Sequence, residues 1–125
     1  MSVSTTVGRR SILLVQAEPG QDMLSTRALF ESAGFRVRLT SSFDEAKRFI
    51  NDDPPDVLLT ELQLGPYNGL HLVMRTRVDH PQMAAIVVSP FADAALAEEA
   101  AHHNATFLVR PVAPQELLDA VRRAL

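Results

Sequence analysis

Five short apolar runs, each followed by a segment of helical periodicity, constrain this chain more than any other feature. The first, "SILLV" (11–15), is apolar almost throughout, the mark of a strand covered on both faces. From 20 to 33 the pattern turns helical, with Leu24, Ala28, Leu29 and Ala33 on one stripe and Gly34 at the position of a C-terminal cap. "FRVRL" (35–39) alternates as an edge or near-edge strand does, and "SSFDEAKRFIND" (41–52) opens with capping serines and sets Phe43, Ala46, Phe49 and Ile50 at helical spacing. "DVLLTE" (56–61) is a second buried strand, 69–79 is helical up to Pro81, and "AAIVVS" (84–89) is a third buried strand. "ADAALAEEAAHHN" (92–104) is an alanine-rich helix ending near Asn104. "TFLV" (106–109) follows, and Pro114 opens a last helix with Leu117, Leu118, Val121 and Leu125 facing inward. Strict strand–helix alternation with short connections predicts parallel strands, right-handed crossovers and one sheet between two helix layers, an α/β doubly wound sandwich.

The rest of the composition fits this plan and removes several functions. At 125 residues, with 46% apolar and 22% charged residues, the chain suits one domain around an aliphatic core. We assign 1–10 to a flexible polar tail and 11–125 to the domain. The 12 Lys+Arg and 15 Asp+Glu give a net charge of −3 without a basic run, which argues against direct nucleic-acid binding. The absence of cysteine excludes disulfides and thiol chemistry. Neither a signal sequence nor a membrane-length apolar segment occurs, so the expected location is cytoplasmic.

In open α/β sheets, ligands bind beyond the carboxyl ends of the strands, where strand order reverses. The residues there are Gln16, Ala17 and Glu18 after the first strand, Thr60 and Glu61 after the third, Ser89 and Pro90 after the fourth, and Arg110 and Pro111 after the fifth. The motifs "ILLVQAEP", "PDVLLTELQLGPYNG", "IVVSPFAD" and "FLVRPVAPQELLDAVRRAL", in this order and spacing, resemble a response-regulator receiver domain across 11–125. The resemblance implies a flavodoxin-like (βα)5 fold with strand order 2-1-3-4-5. In that family an aspartate ending the third strand accepts a phosphoryl group from a histidine kinase, and the matching residue here is Glu61. The family's acidic pair that holds Mg²⁺ falls at Gln16 and Ala17, with Glu18 as their acidic neighbour. Ser89 and Phe107 match its switch positions, Arg110 replaces its lysine, and Pro111 matches a proline usually joined by a cis peptide.

These substitutions bear on the chemistry. Phosphoryl transfer is mostly positioning and charge neutralisation around a metal, and Mg²⁺ needs hard oxygen ligands in near-octahedral geometry. Ala17 offers none, and Gln16 offers only a neutral oxygen. An arginine presents a planar fork to a carboxylate where lysine is a point charge, so a Glu61–Arg110 pair is expected in place of the metal. The resulting expectation is a pseudo-receiver: no catalytic residue, no cofactor, no metal, and signalling by protein contact independent of phosphorylation. Its alternatives are a receiver that still accepts a phosphoryl group, and one held active with Glu61 imitating phospho-aspartate.

The expected partner is a protein (a histidine kinase, another regulator or an output protein) or a second copy, meeting the face formed by the fourth helix, fifth strand and fifth helix. Ser89 could instead cap the following helix, and Phe107 could be ordinary core. His102 and His103 point about 100° apart on a helix and do not converge on a metal. "LGPYNG" carries Gly65-Pro66 where the family tends to have proline then glycine, so a different backbone path is expected there. Ala113 stands where the last helix usually has a capping Asp or Ser.

Overall fold

The computed structural model describes residues 10–17 and 21–125, with residues 21–23 described through their backbone. Most of the expected tail, and Glu18, lie outside the described residues. The elements run β1 (Ser11–Val15), α1 (Gln21–Ser32), β2 (Arg36–Thr40), α2 (Phe43–Asp52), β3 (Val57–Glu61), β4 (Gln63–Leu64), β5 (Tyr67–Asn68), α3 (Gly69–Arg77), β6 (Ala84–Ser89), α4 (Ala94–His102), β7 (Thr106–Val109) and α5 (Pro114–Ala124). Five strands form one parallel sheet in the order β2-β1-β3-β6-β7, so the long strands, counted along the chain, stand 2-1-3-4-5 as expected. The alternating "FRVRL" run supplies β2, which is indeed an edge.

Because successive side chains of a strand point to opposite faces, each apolar strand feeds two cores. Leu13, Val15, Leu58 and Val87 pack with Ala46, Ile50, Leu70, Val73 and Ala100 of α2, α3 and α4. Ile12, Leu14, Val57, Leu59, Ile86 and Val88 pack with Phe30 of α1 and Leu117, Leu118 and Val121 of α5. Fully burying one such side chain stabilises by about 1.5–3 kcal/mol, so these two layers dominate folding and hold the strand ends in register.

The helix ends follow from local chemistry. Ser42 caps α2, its Oγ accepting from the Glu45 N–H at 3.1 Å. Gly34 takes φ +97°, which lets Phe35 N–H reach Phe30 O and Gly34 N–H reach Glu31 O, while the Phe30 and Phe35 rings pack at 6.2 Å. This is a Schellman ending. Asn104, at φ 56°, ends α4 in the same way, with Ala105 N–H on Ala100 O and Asn104 N–H on Ala101 O. Arg77, the last residue of α3, joins two layers of chain: its Nε and Nη2 donate to Met83 O at 3.2 and 2.9 Å, and its Nη1 donates to His103 O. Burial pushes its guanidinium pKa down, and the two carbonyls offset that desolvation.

Three details differ from expectation. Of the stripe expected on α1, Leu29 and Ala33 pack against the core, but Leu24 and Ala28 do not. Leu24 is 55% exposed and Ala28 is exposed, while Thr26 and Phe30 are buried, because the face is chosen by α5 and β2 rather than by the spacing of aliphatics. Leu125 is 42% exposed, since it follows the last helical residue rather than lying within the buried face of α5. Between β3 and α3 stands a small antiparallel ribbon, β4 with β5, that periodicity over two-residue strands did not reveal.

Candidate functional site

The ribbon shapes the exit of β3. Its two-residue turn is Gly65-Pro66, with Gly65 at φ 62° and the proline ring fixing a negative φ after it. That is the II′ combination, whose twist suits a hairpin, and it accounts for glycine standing first. Tyr67 stacks on Phe43 of α2 with ring centroids 4.8 Å apart, which pins the ribbon to the domain. The chain then turns under Glu61. Gly69 N–H donates to Leu62 O at 2.7 Å, and a Cβ on Gly69 would lie 2.0 Å from the Glu61 carbonyl oxygen. Only glycine permits that approach. Asn68 caps α3 through its Oδ1, which accepts from Leu70 N–H at 2.7 Å.

Glu61, the last residue of β3, pairs in register with Val88 of β6. Its carboxylate is divided between two donors: Oε2 accepts from Arg110 Nη2 at 2.9 Å, and Oε1 accepts from Ala17 N–H at 3.1 Å. The two side chains are 23% and 34% exposed, so water still screens the pair. The contact is single rather than the two-pronged fork that arginine can make, because the backbone N–H after β1 takes the second oxygen. Arg110 is held by its own N–H, which donates to Ser89 O at 2.9 Å, and is joined to Pro111 by a cis peptide.

Ser89 is fully buried, and its hydroxyl is turned into its own loop, donating to Phe91 O at 2.6 Å and accepting from Phe91 N–H at 3.2 Å. It does not cap α4. Asp93 does, through Oδ1 and the Leu96 N–H at 3.1 Å, a signal present in the sequence as an Asp three residues before Leu96. Phe107 is half-buried against the α2, α3 and α4 layer. Gln16 donates its backbone N–H to Thr40 O at 3.0 Å.

Above these residues opens a cleft of about 630 Å³ bordered by Gln16, Ala17, Glu61, Gln63, Gly65 and Pro90. Among the described residues its donor set is one carboxylate, already bridged, and neutral amide oxygens. Among the described residues no group of three or more His, Cys, Asp or Glu side chains converges, and His102 and His103 form no such group. No helix among them is long and apolar enough to cross a membrane.

A parallel sheet in this order, with a carboxylate at the exit of its central strand, defines a receiver-like module, and comparison with known proteins agrees. The chain belongs to the response regulator receiver domain family, whose profile matches residues 12–122. It is 26% identical over 124 residues to the alginate biosynthesis transcriptional regulatory protein AlgB of Pseudomonas aeruginosa, covering 98% of this chain and 28% of that protein. It is 29% identical to the hydrogenase transcriptional regulatory protein HoxA of Cupriavidus necator, covering 92% and 24%. The chain thus spans about a quarter of the length of these relatives. A receiver domain protein (CheY-like) from Methanospirillum hungatei shares the fold at TM-score 0.85 and 21% identity over 93% of each chain.

Proposed function

We propose that this chain is a cytoplasmic receiver domain that signals through protein contact without accepting a phosphoryl group. The observation that carries this reading is the division of the Glu61 carboxylate between Arg110 and the Ala17 N–H. In the family the corresponding carboxylate is the nucleophile, and a nucleophile needs an oxygen free to attack and a cation on the phosphoryl oxygens. Here Glu61 fills the role of phosphoacceptor by position only, and Arg110 supplies internally the charge that a metal would bring. The residues do not fit Mg²⁺: Gln16 and Ala17 bring no carboxylate, and recruiting Glu61 would mean breaking its bridge.

The Ser89 hydroxyl, bonded at both ends to Phe91, supports a domain held in one arrangement rather than one imitating the phosphorylated state. In a mimic, that hydroxyl would face the acid. Phe107 then acts as core. The partner is a protein, an output or regulatory chain of the kind suggested by transcriptional regulators such as AlgB and HoxA, with a second copy as the alternative occupant of the α4, β7 and α5 face.

The test is incubation with acetyl phosphate, or with beryllofluoride, in the presence of Mg²⁺. We expect no covalent phosphoryl adduct by mass spectrometry and no ligand-dependent rise in melting temperature, while the combined variant Gln16→Asp, Ala17→Asp, Glu61→Asp, Arg110→Lys gains a Mg²⁺-dependent rise. An adduct on the unaltered chain would defeat the proposal.

A further inference from the structure

Beneath the Glu61–Arg110 bridge, on the opposite side of the sheet rim from the cleft's ribbon, the α1 and α5 layer leaves a second and smaller space. It is a cavity of about 120 Å³ lined by the aliphatic Leu14, Leu59, Val88, Val112 and Leu117 and, as its polar members, by Gln16, Thr26, Thr60, Glu61 and Arg110. Such a volume is a little under the roughly 150 Å³ of an apolar cavity that takes up benzene. The aliphatic part of this lining offers water few partners, so an apolar group displaces water there readily.

The polar side of the lining selects further. Arg110 commits only Nη2 to Glu61, and its Nε and Nη1 have no partner among the described residues. The bridge itself cancels one charge against the other. An anion would meet the Glu61 carboxylate and a cation would meet the Arg110 guanidinium, whereas a neutral oxygen acceptor meets spare N–H donors. We propose that this cavity binds a small neutral amphipathic molecule, of roughly five to seven non-hydrogen atoms, with its apolar body among Leu14, Leu59, Val88 and Leu117 and its hydroxyl or carbonyl oxygen on Arg110. Such a ligand would feed a chemical signal into the rim of the sheet. The inference rests on the bridge and the cavity, and not on whether phosphoryl transfer occurs.

The test titrates phenol, and separately toluene, into the whole chain labelled at its Leu and Val methyl groups and followed by NMR. Phenol should give saturable shifts of the Leu14, Leu59, Val88, Val112 and Leu117 methyls while those of Leu13 and Leu58, across the sheet, stay in place. Val112→Phe, which enlarges a side chain of the lining at the expense of the cavity, should weaken binding roughly tenfold or more. Arg110→Met should weaken phenol while sparing toluene. If Val112→Phe fails to fold, the methyl map of the unaltered chain decides by itself. Shifts that never saturate, that spread through both layers, or that survive Val112→Phe unchanged would overturn the assignment, as would equal loss of phenol and toluene in Arg110→Met.

Discussion

Arg77 and Arg110 are both arginines near the end of an element, and the structure predicts very different consequences of removing them. Arg77→Met keeps the aliphatic stem but strips the donors from Met83 O and His103 O, the carbonyls that bind the end of α3 to the start of β6 and the end of α4. A hydrogen bond to a charged group contributes about 1.5–3 kcal/mol, and a carbonyl left dry costs a similar amount. With two carbonyls orphaned, and partial solvent access bringing each toward the lower figure, the loss should be about 2–4 kcal/mol. At roughly 4 °C per kcal/mol for a domain of this size, the melting temperature should fall by roughly 8–16 °C. Arg110→Met removes a single half-exposed contact to Glu61 and should cost about 1 kcal/mol or less. Arg77→Lys keeps the charge without the fork and should fall between Arg77→Met and the unaltered chain. Chemical denaturation of the four proteins, with unchanged m-values, checks the order. Were Arg77→Met to melt within a couple of degrees of the parent, or below Arg110→Met in cost, the stapling argument would be wrong.

Two other substitutions probe the frame of the site. Gly69→Ala places a Cβ against the Glu61 carbonyl oxygen, which is backbone and has nowhere to go; a loss of about 3 kcal/mol or more in denaturant unfolding is expected, because the β3 exit must shift. Ala113→Ser supplies the hydroxyl that the N-cap of α5 lacks, where Glu116 Oε1 already accepts from the Ala113 N–H at 2.9 Å. Completing that reciprocal pair should stabilise by about 1 kcal/mol, visible as a rise in melting temperature.

The strands and helices were legible because buried parallel strands write themselves as unbroken apolar runs, and because Gly34 and Asn104 mark helix ends by a conformation that few residues accept; the order of the strands came from the resemblance to receiver domains. Where side chains had to choose a face, the sequence said less. Thr26 and Phe30 face inward on α1 through contacts with α5 and β2, elements distant in the chain. The Arg77 staple left no trace, since its acceptors are main-chain carbonyls that every residue carries. The same holds at the site. A Glu61–Arg110 contact can be inferred from residue types, but the Ala17 N–H that takes the other oxygen belongs to the backbone, and it is what reduces the arginine's fork to one prong. The ribbon between β3 and α3 hid for another reason: two residues are too few for alternation to register.

The shared carboxylate of Glu61 also has a mechanical meaning. It ties the loop after β1 and the end of β7 to the tip of β3, strands that occupy the second, fifth and third places across the sheet. Loops that would otherwise yield one at a time are thereby braced together, and a push on any of them is distributed along the whole edge.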